Sequence, residues 1–172
     1  MIDPVTSQRW LYRSLFVGIC MVIVFFQILP LSTLPTTVPG PDLLLCLTFA
    51  WVHRRPEFVP PLLIALVFLT VDMLTQRPPG LRVALILLAV EFLLSRHDDS
   101  SQMPFAAELL FTVSAIVVLT LGYGIVLRLL AVADAPLHLS MIQMVATILF
   151  YPLVAGASHL LLSRLGGTGD LD

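Results

Sequence analysis

Long apolar runs alternate along this chain with short polar breaks rich in proline, glycine and arginine. A helix needs about 20 apolar residues to cross ~30 Å of hydrocarbon, so each run is measured against that length. The first predicted span is 14–31, closed by Pro30 and by a loop whose prolines and Gly40 forbid continuation. The second opens at Pro41-Asp42, with proline suited to a first helical turn and aspartate to the positive end of the helix dipole. It covers 43–52 and stops at His53-Arg54-Arg55-Pro56, well short of a normal span. Such a helix must be tucked among its neighbours or start below the surface. The third is expected over 57–76 with Pro60-Pro61 in its first turn, and the fourth over 81–94 after the turn Arg77-Pro78-Pro79-Gly80. The fifth spans 104–132 and the sixth 138–162, with Pro152 in its interior. The pattern therefore predicts an all-α membrane protein of six transmembrane helices. Its expected domains are a cytoplasmic N-terminus (1–13), one six-helix domain (14–164) and a disordered Gly-rich tail (165–172).

Composition agrees with this. Hydrophobic residues make up 58% of the 172 and charged residues 12%, against about 25% charged in a typical soluble domain. Arg9 and Arg13 precede the first apolar run, but that run is too long for a signal-peptide core and no small-x-small cleavage site follows it. It is expected to be a retained span. All nine basic residues are arginine. With the N-terminus inside, Arg9, Arg13, Arg54, Arg55, Arg96 and Arg164 fall on the cytoplasmic side, and Arg77, Arg82 and Arg128 on the outer side. Both termini are then cytoplasmic. A net charge of −2 gives no nucleic-acid signal.

Charged residues within the apolar runs are the candidates for function, because a carboxylate at mid-bilayer costs about 2.5–3.5 kcal/mol on insertion scales. Asp72 lies near the end of the third run and Arg82 at the start of the fourth, on the same side. The sequence predicts an Asp72–Arg82 tie between these helices; a proton or cation site, or a contact to a partner helix, is the alternative. Glu91 and Glu108 lie toward the cytoplasmic side near Arg96 and His97, where pairing with arginine or an interfacial position is expected. Cys20 and Cys46 sit in apolar runs and should behave as small hydrophobes. His53 and His138 have no partner at ligand spacing, and Gln143 and His159 are lone polar residues of the last helix. Gly122-Tyr123-Gly124 suggests a close helix approach or local flexibility. No metal motif, phosphate loop or Ser/His/Asp spacing is present, so neither catalysis nor a cofactor is expected.

The order of several short motifs resembles the family of the bacterial rod shape-determining protein MreD. Gln27-Ile28-Leu29-Pro30 closes the first span, Pro41-Asp42-Leu43-Leu44-Leu45 opens a short second helix, and Trp51-Val52-His53-Arg54 ends it. Val71-Asp72-Met73-Leu74, then Gly80-Leu81-Arg82-Val83, and finally Tyr151-Pro152 follow in that order. The resemblance is densest over 27–95. It implies a multi-pass protein of the bacterial inner membrane, without catalysis of its own, in the elongasome that controls cell shape through peptidoglycan synthesis. Its implied partners are MreC, and through the complex MreB filaments, RodA and a penicillin-binding protein. Pro41, Asp42, Asp72, Gly80, Arg82 and Pro152 become the structural or partner-binding candidates. The implied fold is similar to the substrate-binding component of energy-coupling-factor transporters. A vitamin-binding transporter component is therefore the rival function.

Overall fold

A computed structural model describes residues 4–29, 39–76, 78–95, 104–130 and 137–166. These residues form six α-helices and contain no strand: α1 Pro4–Ile28, α2 Leu43–Arg54, α3 Pro61–Leu74, α4 Leu81–Ser95, α5 Phe105–Leu129 and α6 Leu137–Gly166. A 3-10 turn, Pro56–Phe58, takes the first residues expected for the third helix, because Pro60 is held in an extended conformation and Pro61 restarts the helix at its first turn. α1 reaches back to Pro4, and α6 runs on to Gly166, inside the segment expected as tail. The remaining residues of that tail, together with Arg77, Arg96 and His97, lie outside the described residues.

Among the described residues, three helical segments are long and apolar enough to cross a membrane: Gln8–Ile28, Phe105–Leu129 and Leu137–Arg164. At 1.5 Å per residue, α2, α3 and α4 are roughly 18–23 Å long and fall short of a full crossing. Many large apolar side chains are exposed on the exterior. Val118, Leu153, Leu149, Met21 and Phe25 all point outward, and Val118 is 70% exposed. Such a surface suits lipid, where apolar contact with solvent carries no penalty.

α2 is the centre of the bundle. Its residues Leu44 through Val52 are all buried, leaving no polar face. A helix that is apolar all round belongs inside a protein or a membrane. It packs chiefly against α6, with further contacts to α4 and α1. Trp51 meets Phe16 of α1 with ring centroids 5.4 Å apart, and Phe49, Ile64, Phe68, Ile86 and Ile116 complete the core. Tyr12 of α1 stacks on Phe58 at 4.4 Å, fixing the 3-10 turn against the first helix. Hydroxyls inside the bundle bond to carbonyls one turn back, as Thr48 does to Leu44 and Thr120 to Ile116, both at 2.8 Å. A methyl group built on Gly122 would meet Leu85 at 3.9 Å, an ordinary contact, so the close approach expected there is not what this glycine provides.

Candidate functional site

Two polar knots hold α2, one at each end. At its start, Asp42 caps the helix by accepting from the Leu45 N–H (3.2 Å), while its own N–H donates to the Thr147 hydroxyl of α6 (3.0 Å). The same hydroxyl donates to the Gln143 carbonyl at 2.7 Å, and the Cys46 thiol donates to the Thr147 carbonyl at 3.4 Å. The second Asp42 oxygen is paired with the Arg82 guanidinium, both side chains being nearly buried. Arg82 also lies over the Phe68 ring of α3, 5.8 Å from its centroid.

This changes the expectation for Arg82. The sequence assigned it to Asp72 as a tie between adjacent helices; the structure gives it an ion pair with Asp42, tying α4 to α2. The physical reason is the burial of α2, whose N-terminus is brought against the first turn of α4. Asp72 lies one turn beyond Phe68 on the same face of α3 and is fully buried. Gly80 opens α4 with a φ of +90°, and its carbonyl accepts from the Ala84 N–H at 2.9 Å. That conformation is one L side chains rarely adopt, which is why glycine stands there. Pro41, Asp42, Gly80 and Arg82 thus belong to one neighbourhood. Pro152 does not: it is exposed on α6, between Tyr151 and Ala155 of the second knot.

At the other end of α2, Arg54 donates to the Ala155 carbonyl of α6 at 2.8 Å and lies 3.7 Å from Glu108 of α5. The Tyr151 hydroxyl donates to the other Glu108 oxygen at 2.7 Å, and His53 Nε2 is 3.1 Å from the Thr112 hydroxyl. Glu108 therefore finds an arginine, as expected of it, but that arginine is Arg54. His53 lies in the last turn of α2 and is held by α5. Glu91 is exposed on α4. Cys20 and Cys46 are both buried and free.

The first knot forms the floor of a cavity of about 520 Å³ between α5 and α6. Ser140, Gln143 and Thr147 of α6 border it at i, i+3 and i+7, a single helical face. Thr120, Tyr123 and Arg128 of α5 border it from the opposite side, together with apolar Ile116 and Leu119. The sequence showed Gln143 only as a lone polar residue. The signal that would have found this face is the spacing of Ser140, Gln143 and Thr147, three and then four residues apart. Among the described residues, no group of three or more His, Cys, Asp or Glu is placed to hold a metal ion.

The described residues thus form a helical bundle in which three helices are fit to cross a membrane, with a cavity of mixed polar and apolar lining at one end. Comparison with protein families, with curated proteins and with solved structures finds no match.

Proposed function

We propose that this chain is a non-enzymatic integral membrane scaffold of the bacterial elongation machinery, a member of the MreD family that docks MreC and links MreB filaments to peptidoglycan synthesis. The observation that carries the reading is the Asp42–Arg82 ion pair. It joins Pro41-Asp42 to Gly80-Leu81-Arg82, two motifs on which the resemblance rests, into one structural unit 40 residues apart in sequence. All six helices are membrane-embedded in this reading, the short α2, α3 and α4 lying among the long α1, α5 and α6, with both termini cytoplasmic. The fold is then that of the energy-coupling-factor substrate-binding component. Depleting the protein in its own rod-shaped host tests the proposal: cells should round up and wall synthesis should lose its pattern along the sidewall. Unchanged rods would refute it.

The cavity favours a second reading, a substrate-binding component of a small-molecule transporter, because several polar side chains converge in it. Stoichiometric, tight binding of a vitamin by the purified protein would decide for that reading.

A further inference from the structure

Polar side chains in a membrane helix face a partner, a water-filled space or a ligand, since hydrocarbon offers them no hydrogen bonds. The stripe Ser140, Gln143 and Thr147 faces the cavity, at whose floor Thr147 meets Asp42. From Thr147 to Leu137, the first residue of α6, the cavity is roughly 15 Å deep at 1.5 Å per residue. Its lining carries two cations and one carboxylate among the described residues. Arg82 is neutralised by Asp42. The guanidinium of Arg128, in the last turn of α5 and exposed, supplies the net charge near the mouth. The opposing wall, from α5, is mixed: apolar Ile116, Leu119 and Leu127 stand beside the hydroxyl-bearing Thr120 and Tyr123. The space therefore offers a positive group near its mouth, hydroxyl and amide groups down one side and a mixed, largely apolar surface on the other.

We propose that this cavity binds a polyol phosphate ester, its phosphate on Arg128 and its hydroxyls on the Ser140–Gln143 side. The phosphate would accept charge-assisted hydrogen bonds from the guanidinium, and the hydroxyls would exchange hydrogen bonds with the Gln143 amide and the Ser140 hydroxyl. The same chemistry is carried by a membrane lipid such as phosphatidylglycerol and by free glycerol phosphate. This site is independent of the scaffold reading, since it concerns the purified chain alone.

Native mass spectrometry and thermal melting of the delipidated full chain in mild detergent test it, with phosphatidylglycerol, phosphatidylcholine and sn-glycerol 3-phosphate as separate probes. One phosphatidylglycerol should be retained and raise the melting temperature, while phosphatidylcholine should do neither; a saturable response to glycerol phosphate in place of the lipid would make the source soluble. Arg128→Gln should weaken the response about tenfold or more, as loss of a charged hydrogen-bond partner does, and Gln143→Leu should weaken it as well. Each variant should melt near the parent without ligand, because Arg128 is exposed and Gln143 borders open space. Three results would overturn the proposal: no response to either polyol phosphate, equal responses to phosphatidylglycerol and phosphatidylcholine, or undiminished binding by both variants.

Discussion

Arg82, in the first turn of α4, is ion-paired with Asp42, the residue that caps α2. One carboxylate thereby performs two tasks: one oxygen satisfies the Leu45 N–H and the other holds a guanidinium from a helix on the far side of a turn. Removing one member of a buried pair leaves the other charge uncompensated, a loss of about 3–5 kcal/mol. Arg82→Ala and Asp42→Ala should each destabilise the protein on that scale, Asp42→Ala by about 1 kcal/mol more for the lost cap. A double-mutant cycle, read by denaturant unfolding in mild detergent, should show strong coupling between them. Additive effects would mean the pair does not hold α4 to α2.

Thr147 should be replaceable by serine but not by valine. Its hydroxyl accepts from the Asp42 N–H and donates to the Gln143 carbonyl. Valine keeps the shape and leaves a partly buried N–H without its acceptor, at a cost of about 1–3 kcal/mol. Serine retains the oxygen. The melting temperatures of Thr147→Val and Thr147→Ser, compared with the parent, check this directly.

Tyr151→Phe should cost about 1–2 kcal/mol by loss of the hydrogen bond to Glu108. Glu108→Gln should be milder than Glu108→Leu, because an amide oxygen still accepts from Tyr151. If Glu108→Gln and Glu108→Leu prove equally damaging, the charge matters through Arg54 and not through the hydroxyl.

Gly80→Ala should destabilise by about 1–2 kcal/mol, the cost of placing an L side chain in the left-handed region. The penalty is one of backbone conformation alone, since an added methyl group would meet nothing within 4 Å. Unfolding in denaturant measures it, and an unchanged stability would show that the turn before α4 relaxes freely.

Helix positions were largely legible in the sequence, because proline, glycine and aspartate mark where apolar runs must stop. The expected starts at Leu43 and Leu81 agree with α2 and α4, and the brevity of α2 was plain from Asp42 to Arg54. What was not legible is which helices meet. Adjacent helices are the natural first guess, so Arg82 was given to Asp72 across a short turn. Its ion-pair partner Asp42 lies two helices back, reached because α2 is buried against both α4 and α6. For Glu108 the sequence indicated an arginine partner or an interfacial position without fixing which arginine; Arg54 reaches it from α2. Tyr151 stood out in the sequence only as the residue before Pro152; its hydrogen bond to Glu108 depends on helix rotation that periodicity does not fix.

The central claim is that the chain docks MreC as part of the elongation machinery. The most direct measurement is affinity purification of the tagged full-length protein from native host membranes, solubilised in mild detergent, with quantitative mass spectrometry of what accompanies it. The account predicts MreC in stoichiometric yield, with RodA and its penicillin-binding partner enriched above an unrelated multi-pass control. Recovery of a transporter's energising subunits with no MreC would contradict it.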